Sequence, residues 1–400
     1  MTRTDPETAG AGTATAAAHG TDRVVPRLAE QFASTYGGPP SGIWRAPGRV
    51  NLIGDHTDYN GGLALPFAID QATFVAARAV PGGMVRVASL QVGSPAAALL
   101  AESASWAPSE FEHWARYPLG TVRAMQARGA HLTGLELLVT STVPPGSGLS
   151  SSAALTVAVA LAVDDLAGTG LLGTGQGRRE IALAAQEAES RFAGAPCGLL
   201  DQTAVLEAGE GHGVVIDFAT MATQRVPLAI GPLVVVNTRV EHSNSDGAYA
   251  NRLATCQRAA QLLGVDHLAA ASLDQLAGHL EGEVLKRARH VVSEDRRVAE
   301  AAQRLAHGQP IGDLMVASHA SLRDDYEVSC PELDLAVETA MAHGAGGARL
   351  TGAGMGGSAI CAGATATDLA GPVREAFARA GFAEPEVYEV TPSAGAARLA

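Results

Sequence analysis

Between Gly48 and the pair Gly61-Gly62 the chain packs Arg49, Asn51, Asp55, His56, Thr57, Asp58 and Asn60 beside an apolar Val50-Leu52-Ile53 stretch that favours burial. Carboxylates, an imidazole and an amide presented together suit a polyhydroxylated ligand, because each hydroxyl both donates and accepts. His56 is read as a ligand contact rather than a base. A second stretch, Pro144-Pro145-Gly146-Ser147-Gly148-Leu149-Ser150-Ser151-Ser152-Ala153-Ala154, lies between a strand pattern and a helix pattern. Its glycines let backbone amides approach a bulky anion. Its three serines at a helix start aim hydroxyls and unpaired N–H groups at one point, where the helix dipole favours negative charge. One serine cap would serve an ordinary helix; three serines after two glycines point to a phosphate cradle. Asp201 sits in an apolar run with Leu199, Leu200, Val205 and Leu206. Buried there it needs a partner, and an arginine is the cheapest one. A structural ion pair and a catalytic carboxylate are equal readings at this point. Gly352-Ala353-Gly354-Met355-Gly356-Gly357 matches G-x-G-x-x-G. A dinucleotide fold would continue as a helix, whereas Ser358-Ala359-Ile360-Cys361 reads as a strand.

Composition removes several alternatives. Lys286 is the only lysine, far from any glycine-rich turn, which excludes a G-x-x-x-x-G-K-[ST] loop and argues against lysine Schiff-base chemistry. A net charge of −13 gives no footprint for nucleic acid. The four cysteines, Cys197, Cys256, Cys330 and Cys361, form no C-x-x-C pair and read as reduced thiols. No apolar run is long enough to cross a bilayer, and residues 1–20 do not resemble a secretory signal, so the expected compartment is the cytoplasm and no membrane partner is expected. A monomer is expected.

The elements that must position these residues follow from periodicity. Strand patterns cover Gly42–Arg45, Ala72–Val80, Met84–Leu90, Leu135–Val143, Gly213–Phe218, Leu233–Val240, Ala348–Thr351, Ser358–Cys361 and Glu386–Val390. Pro81-Gly82-Gly83 reads as a hairpin signal between the second and third of them. Helical periodicity covers Glu110–Ala127, Ser151–Leu166, Arg179–Phe192, Gly247–Leu263, Leu273–Val291, Asp295–Ala306, Ile311–Asp324 and Asp368–Ala380. Strands and helices in this mixed order predict an α+β fold in two lobes. Residues 1–22 are expected to form a disordered tail, 23–211 an N-terminal lobe and 212–400 a C-terminal lobe.

In this order the segments resemble the galactokinases of the GHMP kinase family. Gly48–Gly62 is similar to their sugar signature almost residue for residue, Pro144–Ala154 to their ATP motif, and Leu350–Gly357 to their glycine-rich third motif; Trp114–Gly120 and Cys197–Gln202 are also similar. The resemblance implies a two-lobed GHMP fold with the site in the cleft between the lobes, and ATP-dependent phosphorylation of a sugar's anomeric hydroxyl. It implies that Asp55, His56, Thr57, Asp58, Asp201 and Tyr249 contact the sugar. It places Gly146, Ser147, Gly148, Leu149, Ser150, Ser151 and Ser152 around the ATP phosphates, with Ser89 near the nucleotide. Ser152 and Glu189 would hold Mg²⁺, Asp201 would be the base, and Arg49 would stabilise charge during transfer. An aspartate is a feeble base for a sugar hydroxyl, so it would take the proton late. One departure matters: the family usually has Glu where this chain has Asp55, near the sugar's C6 hydroxyl. A sugar lacking C6, such as L-arabinose, or a bulkier galactose analogue is therefore an alternative substrate, and a non-catalytic sugar sensor is an alternative to an enzyme.

Overall fold

The computed structural model of the chain describes residues 14–144, 146–240 and 245–400, with side chains described from residue 21 and, beyond residue 240, from residue 250. Helix α1 (Ala14–Tyr36) leads to strands β1 (Gly42–Ile53), β2 (Leu63–Ala79), β3 (Met84–Ser89) and β4 (Ala96–Leu99), then α2 (His113–Gln126) and β5 (Leu135–Ser141). Helices α3 (Ser151–Ala167), α4 (Gly175–Glu187) and α5 (Leu200–Glu207) follow, then the hairpin β6 (His212–Asp217) and β7 (Ala222–Pro227). After β8 (Leu233–Asn237) come α6 (Ser245–Leu263), α7 (Leu273–Leu276), α8 (Gly282–Ala306), α9 (Gly312–Asp324) and α10 (Pro331–Ala342). The chain closes with β9 (Gly347–Thr351), β10 (Ser358–Ala362), α11 (Ala366–Ala380), β11 (Glu386–Val390) and β12 (Ala397–Arg398).

The larger sheet runs β12-β1-β2-β5-β3-β4, with β6 paired to β2 and β7 to β6; the smaller runs β11-β8-β10-β9. Helix α3 carries Val157, Ala160 and Leu161 buried, as an Ala/Val/Leu helix apolar on every side requires. It packs with Trp44, Val75, Leu119 and Phe192 in one core. A second core gathers Val234, Tyr326, Leu350 and Phe377 around the smaller sheet. A third joins the two lobes: Val50, Leu52 and Phe67 of the larger sheet meet Leu149, Val235, Val298, Met315 and Ile360. Arg49 and the residues after Ile53 sit at the edge of that seam.

The fold is α+β with two sheets, and several local expectations change. Pro81-Gly82-Gly83 does not close a hairpin, because β5 lies between β2 and β3. It pairs antiparallel with β2 (Val75↔Val139) and parallel with β3 (Val87↔Leu137). Leu135, Leu137 and Leu138 are all buried, so this strand gains most from neighbours on both sides. The expected tail is shortened, because α1 begins at Ala14, in an Ala-rich stretch with high helix propensity. Its Leu28 and Phe32 pack on Ile43, Phe74 and Leu138 of the larger sheet; residues 1–13 lie outside the described residues. The lobe boundary expected at 211/212 falls inside the N-terminal lobe's own sheet, since β6 pairs with β2. The smaller sheet begins at β8, and β12 returns to pair with β1. The helix expected over Leu273–Val291 stops at Leu276 and resumes at Gly282 as part of α8, with Gly278 and Gly282 in the left-handed region between. Strand β1 extends through the polar signature to Ile53, driven by fully buried Val50, Leu52 and Ile53.

The packing of α1 sets a stability prediction. Phe32→Ala should cost roughly 3–5 kcal/mol, as for a large buried aromatic. Urea melts should show the loss, while turnover per folded molecule should stay near wild type because Phe32 lies on a face of the sheet remote from the polar signature.

Candidate active site

Three elements converge on Asp201, which lies in the first turn of α5, where an acidic residue suits the helix dipole. Arg49 on β1 donates to its Oδ1 from Nε at 2.7 Å and from Nη2 at 2.5 Å. The same guanidinium donates from Nη1 to the carbonyl of Gly148 at 2.7 Å. The Ser150 hydroxyl donates to Oδ2 of Asp201 in a short hydrogen bond. Ser150 stands just before α3 in the left-handed region, as does Gly148 two residues earlier. The serine loop is therefore tied to the acid from both sides.

Asp201 and Arg49 line a polar pocket of about 140 Å³ with Asp55, His56, Asp58 and the Gly352-Ala353 turn. Asp55 is buried, its Oδ2 paired with the fully buried Arg349 and its Oδ1 accepting from the Gly352 amide at 3.2 Å. Burial pushes the Asp55 carboxyl up from its ordinary value, and Arg349 opposes that shift. Desolvation, with the charges of Asp201 and Asp55, pushes Asp58 up to about 7. Burial holds the His56 imidazole down at about 3, so it is neutral at physiological pH. A Cβ on Gly198 would collide with Asp58 Oδ2, so a larger residue there would displace that carboxylate. The loop's backbone is held by α8: Glu294 accepts from Gly54 N at 2.9 Å, Asp295 from Leu63 N at 2.8 Å, and His290 Nε2 donates to Asp55 O at 3.1 Å. Arg297 at 2.7 Å from Glu294 helps keep that carboxyl at about 2 despite its burial.

A second pocket, of about 390 Å³, is lined by Ser89, His113, Trp114, Tyr117, Ser151 and Ser152 among others. Glu189 lies beside it, in a π-helical turn, Ala188–Ala193, that extends α4. It is 3% exposed, accepts from Gln202 Nε2 at 2.7 Å and Thr156 Oγ1 at 3.1 Å, and neighbours the Ser152 hydroxyl. Burial and the Asp201 charge push Glu189 up to about 7. Not every expected contact reaches a pocket. Thr57 has no exposed surface, and its hydroxyl reaches the Gly54 and Leu63 carbonyls at 2.9 and 2.7 Å, bracing the loop from within. Ser147 donates to Pro144 O at 2.8 Å, and Leu149 turns its side chain into the inter-lobe core. Their backbone carbonyls are taken within the protein, by Ser358 Oγ at 2.6 Å and Arg49 N at 3.1 Å. Ser150 points at Asp201 rather than outward, and Gly146 is exposed at the loop tip. Tyr249 lies on α6, and its side chain is outside the described residues.

Family models place these segments. The galactokinase galactose-binding signature matches residues 30–79, the GHMP kinases N-terminal domain 116–209 and the GHMP kinases C-terminal domain 298–380. A galactokinase from Streptomyces coelicolor is 44% identical over 94% of this chain and 99% of its own length. The chain belongs to the galactokinase family of GHMP kinases. The human galactokinase is 40% identical over 82% of this chain and 85% of its own. The structure of Lactococcus lactis galactokinase complexed with galactose superposes with a TM-score of 0.86, at 30% identity, covering 94% of this chain and all of that one. Methanococcus jannaschii mevalonate kinase, 18% identical, shares the fold with a TM-score of 0.63 over 88% of this chain and 98% of that one.

Within this galactokinase-family site, sequence reasoning missed Arg349, Glu294 and His290. A lone arginine in the apolar strand Ala348–Thr351 was a signal for a buried carboxylate partner; the α8 side chains carried none.

The raised pKa of Glu189 has a consequence for stability. A carboxyl at about 7 in the fold and near 4.3 unfolded favours folding fully below the unfolded value, and that contribution is lost as pH rises through about 7. Between pH 5.5 and 8 the metal-free protein should lose stability, and Glu189→Gln should reduce that loss by on the order of 1–3 kcal/mol. Equal slopes in urea melts of the two proteins would contradict it.

Proposed function

We propose that the chain transfers the γ-phosphoryl group of ATP to the anomeric hydroxyl of galactose, giving galactose 1-phosphate and ADP. Asp201 carries the reading: it is gripped by Arg49 and Ser150 where a carboxylate-rich pocket meets the serine-lined start of α3. Polyol recognition falls to Asp55, His56, Asp58 and Asp201, each with a place on the wall of the smaller pocket. The larger pocket takes the nucleotide, with its phosphates toward Ser151 and Ser152, where free helix amides favour anions. Transfer then depends on alignment and charge placement more than on covalent help. Asp201 orients the anomeric hydroxyl and takes its proton late, as the O–P bond forms. Arg49 favours the alkoxide that develops. The protein acts as a soluble monomer of the cytoplasm.

The donor set fits Mg²⁺. Glu189 is a buried carboxylate with its pKa pushed up beside Asp201, which a divalent cation would relieve, and the Ser152 hydroxyl supplies a second hard oxygen. One or two protein oxygens with substrate phosphates completing the shell are the ligand set Mg²⁺ takes in kinase sites. Bound there, Mg²⁺ supplies neutralisation of the transferring phosphate's charge.

Galactose breadth has its own support: Asp55, a shorter side chain where the family usually has Glu, is held by Arg349 and Gly352 N. Turnover compared across galactose, L-arabinose, galactosamine and N-acetylgalactosamine tests this reading. For the main one, ADP release with galactose should be robust in wild type. Asp201→Asn should lower kcat by roughly 10²–10⁴, the span of a general base, with sugar still bound in calorimetry. Near-normal turnover of a folded Asp201→Asn protein would remove the base.

A further inference from the structure

Behind His56 the polar contacts do not stop at the loop. Its Nδ1 meets the Tyr59 hydroxyl at 2.8 Å, that hydroxyl meets the Tyr326 hydroxyl at 2.7 Å, and Cys256 Sγ stands 3.3 Å from Tyr326 Oη. Tyr326 comes from the C-terminal lobe, at the end of α9, and has no exposed surface. Its ring lies between two imidazoles, with centroids 4.6 Å from His56 and 4.6 Å from His290. The Arg287 guanidinium sits 5.8 Å from its centroid. One ring thus touches both histidines of the sugar loop's support: His56 within the loop, and His290, which holds the Asp55 carbonyl.

The direction of the chain follows from acidity. A phenol is the best hydroxyl donor present, and the bare nitrogen of a neutral imidazole is the best acceptor. Burial pushes the Tyr326 hydroxyl and the Cys256 thiol up, so both keep their protons. The favoured order therefore runs from the Cys256 thiol to Tyr326, from Tyr326 to Tyr59, and from Tyr59 to His56 Nδ1. That leaves the His56 proton on Nε2. This nitrogen is buried with no protein partner at hydrogen-bond geometry; the Ala353 carbonyl is the ring's further polar neighbour, and both residues line the smaller pocket. His56 itself is held in the left-handed region, at φ 63°, which commits the ring's position.

We propose that Tyr326 is a positioning residue for the sugar: through Tyr59 it fixes His56 as the Nε2–H tautomer and so presents a fixed donor to a substrate hydroxyl. The proposal rests on the reading of the smaller pocket as the sugar site. A tautomer left free would spend part of its time with a lone pair facing the pocket, where the same hydroxyl would have to turn to donate. The effect belongs to sugar binding, since neither Tyr326 nor Tyr59 lines the serine-edged pocket.

The test is Tyr326→Phe, which keeps the ring stack and removes the hydroxyl, with Tyr59→Phe as the second variant should the first not fold. In full-length protein labelled with ¹⁵N-histidine, the His56 resonances should move from nearly pure Nε2–H toward a mixture of tautomers. KM for galactose should rise about 3–10-fold, with KM for ATP unchanged and kcat within about twofold. An unchanged tautomer in either folded variant overturns the proposal. A changed tautomer with an unchanged galactose KM also overturns it, by detaching His56 from sugar binding. A wild-type protein with the pure tautomer and no ADP release with galactose or its analogues would instead defeat the kinase reading while leaving the chain of hydroxyls standing.

Discussion

Asp201 gives one oxygen to Arg49 and the other to Ser150, and Arg49 continues to the Gly148 carbonyl. A strand, a loop and a helix that are distant in sequence are thereby fixed to one carboxylate. The acid cannot shift without disturbing the loop that starts α3, and that loop cannot shift without loosening the acid. For phosphoryl transfer this is the useful coupling, because a small misalignment of acceptor and phosphate costs far more than a weak base does. A partly buried pair of this kind adds little net stability after desolvation, although breaking one partner is costly. Its value lies in geometry.

The site also carries more negative than positive charge. Asp55, Asp58, Asp201 and Glu189 face two guanidiniums, Arg49 and Arg349. Burial acts most where no arginine reaches: desolvation, with the Asp201 charge beside it, drives Asp58 and Glu189 up to about 7, whereas Glu294, with Arg297 at hand, stays near 2. An anionic nucleotide approaching such a cleft meets repulsion unless the start of α3 and a divalent cation offset it. The same surplus of acceptors is what a polyol needs. One electrostatic imbalance therefore favours a hydroxyl-rich ligand on one side and opposes a bare anion on the other.

The chemistry-bearing segments were legible in the sequence because their composition contradicts their surroundings. Polar residues beside Val50 and Ile53, serines after glycines, and one aspartate in an apolar run each break a rule of burial, and such breaks mark sites. The α+β class followed from element order. Long-range pairing was not legible. Nothing local to Pro81-Gly82-Gly83 announces that β5 will enter between the strands it joins, since that choice is made by the burial of Leu135, Leu137 and Leu138 against partners elsewhere. For the same reason Thr57 and Ser147 were taken for ligand contacts. A hydroxyl in a polar motif looks alike whether it faces a substrate or ties a loop to itself, and only the acceptors at Gly54 O, Leu63 O and Pro144 O distinguish the two.

The sugar loop belongs to the N-terminal lobe by sequence, and Thr57 and Asn60 brace it from within, yet the other lobe also grips it. Glu294, Asp295 and His290 of α8 take its backbone at Gly54, Leu63 and Asp55, and Arg349 of β9 takes the Asp55 side chain. The apolar seam of Leu52, Phe67, Val298 and Ile360 runs beneath these contacts. Rotating one lobe against the other would take fully buried Arg349 from Asp55 and the Asn51 carbonyl, and Glu294 from the Gly54 amide, and removing the partner of a buried charge is costly. Large hinge opening is thus an unfavourable way to admit the sugar. The smaller pocket is built in advance, its carboxylates and its imidazole fixed before any ligand arrives, and its preorganisation is maintained by the lobe that contributes least to its visible wall.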